Sequence, residues 1–380
     1  MKKKIIILIT AAVLLVSVVT AGIVIYLNQK DKIWDLKANV PEEYREYQSY
    51  WLTGSMIIKC EKGYYVIDSR MQGELICFWD GKSDTYSPIC TKANCNHDNK
   101  ECSAWFDNSS CDALNYSNGY FFYRYWENGG DMYLYRADAD GTNRKELFQI
   151  CDFNAGEDIG YYDIHKNHIF VTVHCMDEEI DSYIIDYNME LEGKEGYKTV
   201  ITETENVPEI RDIVGDKMLY LVYNASENKT QIFEYNISDK SSTCIDTIDE
   251  GVGYYRYIKD SYVHTSATGN YLVTPEKGKI KLNDSAGDQL ACDSNYIYID
   301  NVPVFKKGHE SEAEHKVSIY DTEGKLLKEV AMPDDPDETL LCVFGDDSRM
   351  FAYDAYIDYF YVLDKNDKNS VWRKIDIDRN

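Results

Sequence analysis

Three thiols and an imidazole fall within thirteen residues of this 380-residue chain, in the run Cys90-Thr91-Lys92-Ala93-Asn94-Cys95-Asn96-His97-Asp98-Asn99-Lys100-Glu101-Cys102. Soft thiolates with one neutral imidazole are a zinc donor set, so Cys90, Cys95, His97 and Cys102 could close a tetrahedral Zn site. The spacing, Cys-x4-Cys-x-His-x4-Cys, is not one of the common zinc spacings. One residue between Cys95 and His97 makes a tight loop for two ligands of one ion. The sequence therefore favours a disulfide-stapled loop, with Cys111 near enough to be a partner. Zinc and free thiols stay open beside it.

Nothing else in the sequence assigns chemistry. It has no Gly-x-Ser-x-Gly elbow, no His-Glu-x-x-His and no phosphate-cradling glycine loop, so no catalytic or cofactor-binding residue is assigned. Asp138-Ala139-Asp140-Gly141-Thr142-Asn143 hints at a calcium loop, but an EF-hand alignment puts Arg136 first and Leu147 twelfth, both wrong for the ion. It reads as a hairpin turn. His165 and His168 could share an ion only with a suitable bend between them, and they read as ordinary surface or core residues. Cys60, Cys77, Cys151, Cys175, Cys244, Cys292 and Cys342 sit in or beside apolar strands, where a small apolar packing role is expected. The total of eleven cysteines is odd, so at least one is unpaired within the chain. The six Asn-x-Ser/Thr sequons, at Asn108, Asn115, Asn224, Asn228, Asn236 and Asn283, read as chance.

The elements that carry the cysteine run belong to a repeat. Its clearest copy is Gly119 to Phe148: an aromatic strand Tyr120 to Trp126, a turn, a strand around Tyr133 to Tyr135, a second turn and a strand from Arg144. The first half, a turn residue before an aromatic strand, recurs at Gly63, Asn167, Asp216, Asp260, Asn295 and Ser348. The second half, strand–turn–strand, recurs at 75–89, 183–201, 232–245, 271–282, 319–330 and 360–375. These strands read as continuous apolar runs, as strands buried on both faces should. A period of roughly 40 to 55 residues is that of β-propeller blades. The expected fold is all-β, a β-propeller of about seven blades over 51–380; the fifth and seventh copies are the weakest, and six blades is the alternative.

Ahead of the repeats, Met1-Lys2-Lys3-Lys4 precedes an uncharged apolar run from Ile5 to Leu27. Its 23 residues are enough to cross a bilayer core of about 30 Å, and the lysines favour the N-terminus inside. The expectation is a cytoplasmic tail (1–4), a transmembrane signal anchor (5–27), a stalk (28–50) and an extracytoplasmic propeller. Cleavage after Ala21, giving a secreted protein, is the alternative.

The net charge is −26, and beyond the three N-terminal lysines 37 basic residues face 66 acidic ones. That excludes nucleic acid as a partner and argues against lying flat on anionic lipid. The 33 tyrosines read mainly as packing between blades.

Two segments carry a resemblance. Leu134-Tyr135-Arg136-Ala137-Asp138-Ala139-Asp140-Gly141-Thr142-Asn143-Arg144-Lys145-Glu146-Leu147 resembles the blades of TolB-type and low-density-lipoprotein-receptor-like propellers, although no copy has the Tyr-Trp-Thr-Asp tetrad. Ile89 through Phe106, with Cys90, Cys95, His97 and Cys102 all in place, resembles a segment of uncharacterised membrane-anchored cell-surface propeller proteins of Clostridia. That resemblance implies no activity. The expected function is extracytoplasmic binding or scaffolding through loops at one end of the propeller, with a cell-surface protein or glycan as ligand. The alternatives are an extracellular glycan- or peptide-processing enzyme and a structural subunit of an envelope complex.

Overall fold

The computed structural model describes residues 56–378 apart from short interruptions, the longest at 176–181, 190–196, 302–314 and 334–340. The tail, anchor and stalk read from the sequence lie outside the described residues. Among the described residues every regular element is a strand, and none is a helix able to cross a membrane.

The strands form seven blades, each a four-stranded antiparallel meander of consecutive strands. Blade 1 is Ile57–Cys60, Gly63–Arg70, Gly73–Trp79 and Thr85–Pro88, and blade 2 is Cys111–Ser117, Tyr120–Trp126, Asp131–Asp138 and Lys145–Asp152. Blades 3 to 7 occupy 157–203, 208–248, 252–283, 289–331 and 341–377. The expected seven copies are therefore seven blades. The first strands of successive blades lie against one another, so they form the inner wall.

The continuous apolar runs follow from this geometry. Successive side chains of a strand point to opposite faces, and here both faces are covered by a neighbouring blade. Tyr64 and Val66 enter the layer between blades 1 and 7, while Tyr65 and Ile67 enter the layer between blades 1 and 2. Phe121 packs toward blade 1 and Phe122 toward blade 3. A hydrophobic layer of this kind lies between every adjacent pair of blades around the ring. Most of the tyrosines that reach these layers are core, as expected.

Among the described residues the ring closes without exchanging a strand: all four strands of blade 7 come from the C-terminal side of the sequence and those of blade 1 from the N-terminal side. Instead the outer strands of the two blades run parallel, with Asp376 opposite Thr85 and Ile377 opposite Tyr86. The Asp376 and Asp378 amides donate to the carbonyls of Asp84 (3.0 Å) and Tyr86 (2.7 Å). Arg349 donates to Gly81 O (2.8 Å), and Arg373 to Lys82 O (3.0 Å) and Ser83 O (3.1 Å). On the inner side, Tyr64 donates to the buried Asp346 carboxylate, which Lys59 also faces at 3.4 Å.

Candidate metal centre and ligand cavities

Residues 89–104 interrupt the fourth strand of blade 1. Thr85–Pro88 pairs with one end of Gly73–Trp79, and Trp105–Phe106 pairs with its other end. Ile76 holds both ends of the inserted loop: its carbonyl accepts from the Ile89 amide (3.1 Å) and its amide donates to Ala104 O (2.9 Å). Blade 2 fixes the returning end. Arg144 donates to Ser103 O (3.0 Å) and Trp105 O (2.8 Å), with its guanidinium over the Phe106 ring. A Cβ at Gly141, which has φ 78°, would lie 2.0 Å from Ser103 O, so only glycine fits there. The Asp138–Asn143 segment is the expected turn, closed by Gly141 N–H to Asp138 O (2.8 Å) and by Asn143 Nδ2 to Asp138 Oδ2 (2.7 Å).

Within this loop Cys90, Cys95, His97 and Cys102 come together. One ligand atom from each lies within 4.8 Å of all the others, and His97 Nδ1 is 3.3 Å from Cys102 Sγ. The disulfide favoured by the sequence is not formed, and Cys90, Cys95 and Cys102 are free thiols. The physical reason is the backbone. Asn94 and His97 adopt positive φ, 58° and 54°, a conformation Asn and His tolerate better than most residues. Two such residues within four positions curl the chain, so the tight Cys95-x-His97 spacing aims both side chains inward. A disulfide would use two of the sulfurs and leave the third thiol and the imidazole without a reason to converge. The four donors can hold a metal ion.

The thiols are not equivalent. Burial opposes ionisation at Cys90, but the Lys92 amide and the Cys102, Cys95 and Ser103 side chains outweigh it and hold its thiol below the usual value. Burial pushes the Cys102 thiol up to about 12, against the Ala104 amide that donates to it. Cys77, Cys151 and Cys292 are buried packing residues, as expected; Cys244 departs from that expectation and is exposed on an outer strand. The side chains of Cys111 and Cys342 lie outside the described set.

Two cavities open on the face that carries the turns between first and second strands. The larger, about 640 Å³, lies between blades 4 and 5, with Asp216, Lys217, Glu234, Lys259, Tyr257 and Tyr262 in its wall. The smaller, about 290 Å³, lies between blades 3 and 4 and is lined by His165, His168, Ser238 and Lys240. Asp216 lines both, and its carboxylate accepts from Ser238 Oγ at 2.9 Å. His165 and His168 each bond a different group: the first Gly215 O (2.6 Å), the second Asp186 (2.5 Å).

The inner wall holds a charged group on blades 3 to 5. Asp212 accepts from Arg256 Nη1 (3.2 Å) and the Tyr257 amide (2.7 Å), tying blade 4 to blade 5. Burial raises the Asp212 pKa, with Arg256 opposing. Asp163 is pushed up to about 6, mainly by burial and then by the Asp212 charge, with Arg256 working the other way. Its ordinary value is near 3.8. Between these values the native state holds a proton the unfolded chain has lost, so stability falls as pH rises from about 4 to 6. Asp163→Asn mimics the protonated form. It is expected to stabilise the chain by about 1 kcal/mol at pH 7.5 and by nothing measurable at pH 4. Thermal melts at the two pH values check this, and a lower melting point for the variant at pH 7.5 would refute it.

No protein-family model matches this sequence, and no curated protein does. Solved structures do match. A prolyl endopeptidase superposes with TM-score 0.56 at 10% identity, over 88% of this chain and 50% of that one. A puromycin-hydrolyzing peptidase of Mycobacterium tuberculosis gives 0.54 at 10%, over 89% and 55%. Oligopeptidase B of Leishmania major gives 0.52 at 11%, over 92% and 52%. The chain thus spans about half the length of each, and at this identity the likeness is one of fold: this chain is a β-propeller.

Proposed function

We propose that this chain is a binding propeller displayed outside the cytoplasmic membrane, anchored through residues 5–27, and that it takes an extended glycan on the face formed by blades 3 to 5. The observation that carries this is the pair of neighbouring cavities sharing Asp216, whose linings span three blades. Tyrosine rings beside carboxylate acceptors suit the flat faces and hydroxyls of sugars. A chain with net charge −26 repels anionic polymers, so a neutral or amino-sugar glycan is the fitting class. The resemblance of 89–106 to clostridial cell-surface propeller proteins supports the extracytoplasmic setting.

The test offers the purified chain fractionated cell-wall polysaccharide and solubilised surface proteins side by side, against the heat-unfolded chain. Saturable capture of polysaccharide is expected, weakened about tenfold or more by Asp216→Lys. Capture of a single protein instead would move the reading to an envelope-complex subunit.

One observation favours the enzyme alternative: the Asp212–Arg256 pair lies on the inner wall, and its charges act on Asp163 of the neighbouring blade. Asp212 is committed to blade 5 through two hydrogen bonds, which favours a structural task. Release of reducing ends or of amines by the folded chain, abolished by Asp163→Asn, would reinstate the enzyme.

A further inference from the structure

We propose that Cys90, Cys95, His97 and Cys102 bind one zinc ion in a closed tetrahedral site, and that the ion fixes the split fourth strand of blade 1 and through it the seam between blades 1 and 7.

The donor set points to zinc. Three thiolates and an imidazole suit a borderline-soft ion with no geometric demand of its own, and four protein ligands leave no open position, as in structural sites. Iron–sulfur clusters are generally held by thiolates alone or, less often, by two thiolates and two histidines. Zinc bonds of about 2.0–2.3 Å place neighbouring donors about 3.5–3.8 Å apart. The four donors lie within 4.8 Å of one another without an ion, and His97 Nδ1 is 3.3 Å from Cys102 Sγ. Small side-chain adjustments complete the tetrahedron.

The position of the loop gives the ion its structural role. All four ligands lie between the two points where Ile76 grips the chain, so ligation closes the loop from within. Thr85–Pro88 enters the loop directly, and only two of its residues pair with the rest of blade 1, Pro88 with Cys77 and Ser87 with Phe78. The outer strand of blade 7 docks on the same four-residue strand. The strand that blade 7 docks on therefore runs straight into the loop, and closing the loop fixes the end from which that strand leaves it. Cys102 is buried, and Cys90 and Cys95 pack on the layer between blades 1 and 7, so the ion would sit against the seam's own core.

The experiment uses the full chain, purified in detergent under reducing conditions without chelator. Elemental analysis is expected to give one zinc per chain, retained by His97→Cys and lost in Cys95→Ser. Hydrogen exchange followed by mass spectrometry reads the seam. After removal of zinc by a strong chelator, peptides covering 85–88 and 373–378 are expected to exchange at least about tenfold faster, with Lys217–Asn224 in blade 4 unchanged. Chelation of the unmodified chain gives this readout even where Cys95→Ser does not fold. A disulfide between two of these cysteines in peptide maps, or a folded chain carrying iron, copper or no metal, overturns the zinc site. Zinc loss with unchanged exchange at the seam overturns its structural role.

Discussion

Trp79→Ala is expected to lower the stability of this chain by about 3–5 kcal/mol, the usual cost of deleting a large buried aromatic. Trp79 is fully buried at the seam. Its ring lies 5.3 Å from Tyr64 and from Phe360 and 6.3 Å from Phe351, the last two supplied by blade 7. The guanidiniums of Arg349 and Arg373 stand over it at 5.0 and 5.7 Å. Its indole N–H donates to Ser83 O (2.7 Å), inside the turn that leads into Thr85–Pro88. Alanine would therefore remove packing, two cation–π contacts and a turn restraint together. Among the described residues no strand is exchanged between blades 1 and 7, so side-chain contacts such as these, with the short parallel pairing, close the ring. Urea unfolding gives the check. A loss below about 1 kcal/mol would mean that the seam does not carry the closure.

Lys365→Met is expected to cost a similar amount, about 3–5 kcal/mol, for a different reason. Lys365 is fully buried in a turn of blade 7, and its Nζ donates to Asp293 Oδ2 of blade 6 (2.7 Å) and to Tyr298 OH (2.6 Å). Tyr298 in turn donates to the same carboxylate. Removing the ammonium leaves Asp293 charged, 2% exposed and without its counter-ion. The penalty comes from that stranded charge and not from lost packing, since methionine fills similar space. Adding Asp293→Asn should then recover more than half of the loss, because the carboxamide keeps acceptors for the Asn295 and Tyr296 amides that Asp293 Oδ1 now serves. Urea unfolding of the single and double variants measures the coupling directly. Additive costs would show that the pair does not act as an ion pair.

The second, third and fourth strands were legible in the sequence, and the first strands were not. Gly63, Asn167, Asp216 and Ser348 each precede or open a second strand, where both faces meet a neighbouring blade and apolar runs result. The first strands line the inner wall. Cys111–Ser117, Glu157–His165, Pro208–Val214, Val252–Ile258 and Leu341–Asp346 each carry a register shift that breaks their periodicity. Their polar members, such as Asp163 and Asp212, look like loop residues until blade 5 supplies Arg256. The meander read at Gly119–Phe148 was thus a four-stranded blade missing its innermost strand.

The donors of the metal centre were legible as residue types, but their convergence was not. Spacing alone makes Cys95-x-His97 look too tight, and the positive φ of Asn94 and His97 that resolves this is a backbone choice no pattern announces. The cavities were illegible for a simpler reason. Asp216 and Ser238 belong to different turns of blade 4, and Tyr257 and Tyr262 come from the next blade. Only the stacking of blades brings them to one wall.

Every blade of this ring is built from consecutive strands of the chain, with the 89–104 loop inserted in blade 1. In a gene, such a blade is a single contiguous cassette. Duplicating or deleting it would leave no hybrid blade to repair, and the first and last blades would still adjoin. The interface that would have to be refitted is the one between the first and last blades, where a change in blade number alters the closing angle. This architecture therefore lets evolution vary the size of the ring in whole steps, while concentrating the selective constraint on the residues around Trp79 and the strand Thr85–Pro88.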